Sequence, residues 1–267
     1  MITSTKNEQV RHVQNLVKKS RDRREEGLYV AEGLRICREL DPKETVSLYV
    51  TEAFLEGPGK EGDTAGWLKH FCCETVSEPV MRAMADTQTP QGILAVVRQK
   101  TYTLESILEG AECPCLMILE TIQDPGNLGT IIRAGEGAGM TGIIMDRGTA
   151  DIYNPKVIRS TMGSILRVPF LYVPDLGKAC LQAKKRGIRL FAAHLDGKQP
   201  YDREDYTGPC GFLIGNEANG LSDSVSALSD VYVKIPMKGK VESLNAAVAA
   251  SVLMFEAARQ RRNAIGE

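Results

Sequence analysis

The sequence predicts an α/β protein in which a large, mostly parallel sheet forms the C-terminal part and a smaller α/β domain precedes it. Short apolar strands alternate with helical segments along the 267 residues, a pattern typical of sheets covered by helices. From residue 115 onward most strands are apolar throughout, as in parallel sheets buried on both faces. A polar stretch at 99–113 separates the two blocks. We therefore expect domains at 1–98 and 114–267, joined by a linker at 99–113.

Composition and charge restrict the class of protein. The 33 Lys and Arg residues nearly balance the 34 Asp and Glu residues, giving a net charge of −1, so nucleic-acid binding would need a local basic patch. No stretch has the length and apolarity of a membrane span or signal peptide, and we expect a cytoplasmic protein with no membrane partner. The seven cysteines lack metal-ligand spacing, so we expect reduced thiols and no metal.

The first block opens on an amphipathic helix at 7–19, whose apolar residues recur at helical spacing. A cluster of cations overlaps its end and continues beyond it: Lys18, Lys19, Arg21, Arg23 and Arg24. They form a candidate RNA-binding patch, although cations at a solvated helix end would give the same pattern. Strands are predicted at 28–33, 47–54, 71–76 and 92–98, with helices at 34–40, 65–70 and 78–85.

The second block alternates strands with helices up to the last helix. Strands are predicted at 115–122, 142–146, 166–172, 188–193, 211–215 and 231–235, and helices near 127–139, 154–162, 176–186 and 222–228. Asn127 is a candidate N-cap of the first of these helices. Ser243 or Asn245 would cap the last helix, in which Val248, Val252, Phe255 and Ala258 recur at helical spacing and predict a buried face.

Three loops of the second block carry the candidate chemistry: 124–133, 215–221 and 235–245. Each follows an apolar strand and contains glycine and polar side chains, and ligands of open parallel sheets bind at the carboxyl ends of strands. Helix caps and tight turns explain each loop taken alone. Three such loops in one sheet favour a shared site.

The residues of these loops resemble the three motifs of the TrmH/SpoU ribose methyltransferases, in order and spacing. The matching segments are NLGTIIR at 127–133, LIGNEANGLS at 213–222 and IPMKGKVESLNAAVA at 235–249; Ala218 stands where the family often has glycine. The resemblance covers residues 115–262. The first block is similar to the ribosomal-protein-L30e-like substrate-binding domain that many of these enzymes carry.

The resemblance implies a trefoil-knotted, mostly parallel sheet, homodimerisation through the knotted domain, and methyl transfer from S-adenosylmethionine to an RNA 2′-hydroxyl. It places six residues at the cofactor: Gly197, Gly215, Ile235, Met237, Ser243 and Leu244. It assigns catalytic positions to Asn127, Arg133, Glu217, Ser243 and Asn245. Arg133 would bind phosphate or polarise the hydroxyl, because a guanidinium is a permanent cation. In the first domain, Arg35 joins the candidate RNA-binding residues.

The same resemblance leaves several alternatives open. It favours 23S rRNA as the substrate over tRNA. Three alternatives remain: a tRNA methyltransferase, a resistance-conferring rRNA methyltransferase and a non-catalytic RNA-binding member of the fold. It identifies neither the group that accepts the hydroxyl proton nor the subunit on which Arg133 acts. A dinucleotide-binding motif is disfavoured, because the glycines at 135–139 end a helix.

Overall fold

The computed structural model describes residues 1–266 of the chain, which form two compact units. The first contains Met1–Lys100 together with Asp151–Leu166, and the second contains Thr101–Ala150 and the residues from Arg167 onward. Within the described residues, no helix is both long and apolar enough to cross a membrane.

The secondary-structure elements follow the predicted alternation. The helices are α1 (Glu8–Lys18), α2 (Ser20–Glu26), α3 (Leu34–Cys37), α4 (Glu52–Glu56), α5 (Asp63–Leu68), α6 (Glu78–Met84), α7 (Leu104–Leu108), α8 (Pro125–Gly137), α9 (Pro155–Thr161), α10 (Leu176–Lys185), α11 (Asp223–Ser226) and α12 (Ala246–Ile265). The strands are β1 (Leu28–Glu32), β2 (Thr45–Val50), β3 (Cys73–Thr75), β4 (Ile93–Arg98), β5 (Cys115–Leu119), β6 (Gly142–Asp146), β7 (Phe170–Val173), β8 (Arg189–Ala193), β9 (Gln199–Pro200), β10 (Cys210–Ile214) and β11 (Val231–Lys234).

The first unit is built on a four-stranded sheet in the order β1-β4-β2-β3. Strand β4 pairs antiparallel with β1 and β2, and β3 adds parallel to β2. Helix α1 begins where the Asn7 side chain accepts the amide of Gln9, as an N-cap residue does. Its apolar face, including the fully buried Val10, Val13 and Leu16, joins α6 and the sheet in one core.

Arg23 belongs to this core and not to the solvated basic patch predicted from the sequence. Its side chain is 3% exposed, and its Nη1 donates to the carbonyls of Leu16 (2.7 Å) and Val17 (3.0 Å). Its Nη2 lies 2.5 Å from the carboxylate of Asp151. Because the guanidinium is satisfied inside the unit, Arg23 is unavailable to RNA, and the expectation for this residue was wrong.

Residues 151–166, which the sequence placed in the second block, pack with the first unit. Besides the Arg23–Asp151 ion pair, Tyr153 stacks on Tyr29 with ring centroids 4.6 Å apart. Arg159 forms an ion pair with Asp86 at 2.5 Å. These contacts of α9 and its flanking residues hold the segment against β1 and its neighbours.

The second unit is built on a seven-stranded sheet in the order β7-β6-β5-β10-β8-β11-β9, in which all six pairings are parallel. One face carries Leu116, Ile118 and Leu213 in a core with α7, α10 and α11. Side chains alternate between the faces of a strand, so Cys210 and Phe212 point to the other face. There Arg261 of α12 contacts the Cys210 sulfur.

Two details of the second unit differ from the prediction. Asp124 caps α8 and Asn127 does not, because the Asp124 carboxylate accepts the Asn127 amide at 2.8 Å. In α12, the buried side includes Ala250, Leu253 and Met254, whereas Val248 and Phe255 are 48% and 49% exposed. Of the predicted buried face of α12, Val248 and Phe255 are thus directed to solvent, whereas Val252 and Ala258 are half-buried.

Candidate active site

The three loops predicted to carry the chemistry follow β5, β10 and β11, and all lie at the carboxyl edge of the parallel sheet. One chain of hydrogen bonds joins them. Asn127 Nδ2 donates to Glu217 Oε1 at 2.8 Å, and Asn245 Nδ2 donates to Asn127 Oδ1 at 2.9 Å. The structure thus brings together three of the predicted catalytic residues, which are 90 and 118 positions apart in sequence.

The direction of this hydrogen-bond chain is set by the start of α12. Asn245 Oδ1 accepts the amides of Ala247 (2.9 Å) and Val248 (3.3 Å), which is the predicted N-cap of the last helix. With its oxygen engaged, Asn245 presents its NH2 group to Asn127, and Asn127 in turn presents its own NH2 group to Glu217. Each amide therefore has one orientation that satisfies all of its partners.

The loop that carries Glu217 is folded tightly on itself. Asn216 Oδ1 accepts the amides of Ala218 (2.9 Å) and Asn219 (3.2 Å), and the amide of Gly220 returns to the Asn216 carbonyl at 2.9 Å. A Cβ atom at Gly215 would lie 2.1 Å from the carbonyl carbon of Gly220. Only glycine fits at position 215, because backbone fills the space of any side chain.

A pocket of about 830 Å³ opens beside this loop, a volume within the range of small-molecule sites. Its wall includes five of the six predicted cofactor residues: Gly215, Ile235, Met237, Ser243 and Leu244. The wall combines apolar side chains such as Leu221 and Val233 with polar ones, among them Asn216 and Glu217. These lining groups suit a ligand that has both apolar surface and hydrogen-bonding groups, as the adenosine and methionine parts of S-adenosylmethionine have.

Gly197, the sixth predicted cofactor residue, is buried outside the pocket wall. Its amide donates to the carbonyl of His194 at 3.1 Å, and a Cβ there would lie 2.8 Å from the carbonyl carbon of Val233. Gly197 therefore shapes a turn against β11. That turn presents His194 and Asp196 to the pocket, and the His194 ring stacks on Tyr232 with centroids 4.7 Å apart.

Arg133 stands apart from the other predicted catalytic residues. It is exposed on α8, six positions after Asn127, and a helix turns by about 100° per residue, so the two side chains point in directions about 120° apart. Among the described residues, no hydrogen bond or ion pair joins Arg133 to Asn127, Glu217, Ser243 or Asn245. Within one chain, the site therefore lacks its predicted cation.

In the first unit, the other candidate RNA-binding residues are accessible. Lys18, Lys19, Arg21, Arg24 and Arg35 are all exposed. Arg21 is 2.7 Å from Glu25 and Lys19 is 3.8 Å from Asp22, but such exposed ion pairs are weak. Lys19 and Arg21 can therefore exchange their carboxylate partners for phosphate.

The sequence reasoning missed a set of polar residues behind the Glu217 loop: Glu120, Thr121, Asp146 and Asn216. Burial raises the pKa of Asp146, but hydrogen bonds from Thr121 and Thr149 outweigh that effect and hold the pKa below its usual value. The one available signal was that Asp146 ends an apolar strand at the edge where the other loops lie. No group of three or more His, Cys, Asp or Glu residues within 1–266 is arranged to hold a metal ion.

Comparisons with known families match both parts of the chain. Residues 114–255 match the SpoU rRNA Methylase family, and residues 7–95 match the MRM3-like substrate binding domain. The chain is 31% identical over 189 residues to the 23S rRNA (guanosine(2553)-2′-O)-methyltransferase RlmP of Bacillus subtilis, covering 68% of this chain and 71% of that protein. It is 32% identical over 184 residues to the 23S rRNA (guanosine-2′-O-)-methyltransferase RlmB of Ralstonia nicotianae, covering 68% and 74%.

Solved structures with the same fold cover nearly the whole chain. An AdoMet-bound rRNA methyltransferase from Sinorhizobium meliloti superposes with a TM-score of 0.83 at 29% identity, covering 97% of both chains. The SpoU methyltransferase AviRb from Streptomyces viridochromogenes, in complex with AdoMet, gives a TM-score of 0.84 at 28% identity, covering 96% of this chain and 98% of that one. These likenesses confirm the fold class predicted from the sequence.

Proposed function

The chain belongs to the SpoU rRNA methylase family, and we propose that it methylates one ribose 2′-hydroxyl of 23S rRNA. As an RNA 2′-O-methyltransferase it uses S-adenosylmethionine as its cofactor. The observation that carries the proposal is the hydrogen-bond chain Asn245–Asn127–Glu217, in which Glu217 lines a pocket of about 830 Å³. Two relatives that act on 23S rRNA support this substrate over tRNA.

When bound, S-adenosylmethionine supplies an electrophilic methyl group on a positively charged sulfur. The protein must then orient a ribose hydroxyl toward that methyl group and help its proton to leave. Glu217 lines the pocket and is bonded to Asn127, which Asn245 holds in turn, so Glu217 and Asn127 are suited to hold the ribose. The pocket wall around Met237 and Leu244 would exclude water from the reacting atoms.

Arg133 requires a second subunit in this proposal. Its guanidinium would contact the phosphate or the hydroxyl of the bound nucleotide, but in its own chain it points away from Asn127. A partner that packs on α8 and α12 would supply Arg133 to the opposite site. Both functional sites of a symmetric dimer would then be built from two chains.

The exposed apolar face of α12 supports such a dimer. Val248 and Phe255 are about two helical turns apart on one side of α12, and the Phe255 ring reaches Gly137 of α8, lying 3.7 Å from the position of a Cβ there. The first three turns of α12 are apolar both on the side facing their own unit and on the opposite side, as in a helix buried all round. A second copy of this chain would bury that face.

The first unit would dock the RNA through its exposed cations. Its match to the MRM3-like substrate binding domain supports this role, and Lys18, Lys19, Arg21, Arg24 and Arg35 supply the positive charge that phosphate requires. We assign the enzyme to the cytoplasm, where its rRNA substrate is assembled into ribosomes.

The proposal is tested by incubating the protein with labelled S-adenosylmethionine and separated rRNA and tRNA from a strain that lacks this protein. Label in the 23S fraction is expected. Label confined to tRNA would show that tRNA, and not 23S rRNA, is the substrate. If the protein binds cofactor and RNA but transfers no methyl group to naked RNA or to ribosome assembly intermediates, a non-catalytic role is favoured.

A further inference from the structure

The loop that carries Glu217 is fastened at both ends to the segment that follows β5. At its far end, the Glu120 carboxylate accepts the amide of Ser222 at 2.7 Å and the Ser222 hydroxyl at 2.6 Å. At its near end, Asn216 Nδ2 donates to the carbonyl of Thr121 at 2.9 Å. The direction of the Thr121 carbonyl therefore helps to set the position of the near end of the loop, next to Glu217.

Thr121 has a backbone conformation that its side chain disfavours. Its φ is 56°, in the left-handed region that β-branched residues rarely enter. Such a conformation persists only where the surroundings impose it, and it is frequent beside functional sites. Since the peptide plane of Thr121 directs its carbonyl toward Asn216, relaxation of φ would turn that carbonyl away from the loop.

Asp146, at the end of the adjacent strand β6, holds Thr121 in this conformation. Its Oδ1 accepts the Thr121 amide at 2.9 Å, and its Oδ2 accepts the Thr121 hydroxyl at 2.6 Å. The same carboxylate accepts the amide (2.9 Å) and hydroxyl (2.7 Å) of Thr149, so it is itself fixed from its own loop. Four donors on one carboxylate make a rigid anchor.

We propose that Asp146 is a positioning residue for methyl transfer, which acts through Thr121 and Asn216 to set the Glu217 loop against Asn127 and the cofactor pocket. The inference rests on the proposed function and deepens it. Asp146 does not line the pocket, so its effect is indirect. The carboxylate fixes Thr121, the Thr121 carbonyl fixes Asn216, and the Asn216 side chain closes the loop through the amides of Ala218 and Asn219.

The glycine variant of Thr121 separates this role from a general contribution to stability. Glycine enters the left-handed region without cost, so it should direct the carbonyl of residue 121 toward Asn216 even when the carboxylate of residue 146 is gone. Asp146→Ala should lower kcat by on the order of 10- to 100-fold, because small misplacements of a site cost rates of that size, and should weaken S-adenosylmethionine binding. Asp146→Ala combined with Thr121→Gly should regain most of both.

Asp205→Ala is the matched control. The Asp205 carboxylate accepts the amide and hydroxyl of Thr207, as Asp146 does for Thr149, but at a turn away from the pocket wall. This variant should keep its kcat and cofactor affinity. If Asp146→Ala does not fold, Asp146→Asn with and without Thr121→Gly provides the same comparison.

Methyl transfer, cofactor affinity by calorimetry and Tm are measured for all variants beside the wild type. Full activity and affinity in a folded Asp146 variant would overturn the inference, as would a loss that the glycine substitution fails to reverse. A wild-type protein that binds S-adenosylmethionine but does not methylate RNA would instead count against the proposed function. In that case cofactor affinity alone decides whether Asp146 positions the loop.

Discussion

The carboxylate of Glu217 accepts a hydrogen bond from the side-chain amide of Asn127 at 2.8 Å, across 90 residues of sequence. This contact joins the loop after β10 to the first turn of α8, and Asn245 extends it to the start of α12. The three sequence motifs thus form one polar unit at the edge of the sheet.

Replacement of Asn127 tests that unit. Asn127→Ala leaves the Glu217 carboxylate and the Asn245 amide without their partner, and we expect kcat to fall by on the order of 100-fold. Folding should be little affected, because Asp124 caps α8 through the backbone of residue 127. Asn154→Ala removes the side-chain N-cap of α9 and is the control. It should lower Tm without lowering kcat, and equal kcat in the two variants would contradict the role of Asn127.

Arg133→Ala should abolish methyl transfer and leave S-adenosylmethionine binding unchanged, because Arg133 does not reach the pocket of its own chain. Arg167→Ala, which removes an exposed arginine paired with Glu136, is the control and should remain active. Steady-state transfer and cofactor calorimetry measure the two effects. Full activity of Arg133→Ala would remove the role assigned to this residue.

Mixing two inactive variants tests whether Arg133 acts across subunits. Arg133→Ala and Asn127→Ala dimers that exchange subunits form mixed dimers in which one site has both residues intact. Random exchange should then restore roughly a quarter of wild-type activity. No recovery, despite demonstrated exchange, would place the action of Arg133 within its own chain.

We expect Phe255→Asp to abolish the proposed dimer and to leave a monomer with little transfer activity. The charge would lie in the apolar face that we assign to the second copy, where burial without a partner is costly. Leu181→Asp changes a residue on α10 with nearly the same exposure, 48% against 49%, and should leave the dimer intact. Sedimentation measures both. A monomeric wild type, or a dimeric Phe255→Asp protein, would exclude this interface.

Gly215→Ala should prevent cofactor binding, because its Cβ would lie 2.1 Å from the backbone of Gly220. Gly239→Ala is the control in the same pocket wall, where a Cβ meets nothing within 4 Å. Calorimetry with S-adenosylmethionine should show binding only for the second variant. Equal affinities would mean that the loop can open without loss of the pocket.

Neutralising Lys18 and Arg24 together should weaken RNA binding and reduce the slope of log K against log salt by about 1.4 to 1.8, since each phosphate contact contributes about 0.7 to 0.9. Replacing Lys178 and Lys185 of α10 with alanine changes the net charge equally and should leave the slope unchanged. Identical slopes for the two double variants would exclude the patch as an RNA-binding surface.

Most of the fold could be predicted from the sequence because its signals are local. Apolar runs such as CLMIL of β5 and GIIMD of β6 predict buried parallel strands. Within residues 1–266, ten of the eleven strands overlap predicted ones. The exception, β9, has two residues, Gln199 and Pro200, and carries no apolar pattern. Its pairing with β11 is imposed by the neighbouring strand.

The errors arose where a side chain has two possible partners. A basic stretch does not reveal that Arg23 has buried carbonyls and Asp151 to bind, since those contacts form only after folding. The spacing of Val248 and Phe255 indicates an apolar helix face, but not whether the same chain or another copy covers it. The sequence predicted Asn127 as the N-cap of α8. In the structure Asp124 is the N-cap, so the Asn127 side chain is available to bond Glu217 and Asn245.

The anchor formed by Asp146 and Thr121 could not be inferred from the sequence. Nothing local distinguishes Thr121 from an ordinary loop residue, because its left-handed φ follows from a carboxylate 25 positions later. Such long-range constraints appear only when the strand order is known.

The most direct test of the central claim is to map ribose methylation across 23S rRNA from cells with and without this protein, using the resistance of a 2′-O-methylated position to alkaline cleavage. We predict one protected nucleotide whose protection is lost without the protein and is restored by the wild-type chain, but not by Arg133→Ala. An unchanged map of 23S rRNA, with the changed position found in tRNA or nowhere, would contradict it.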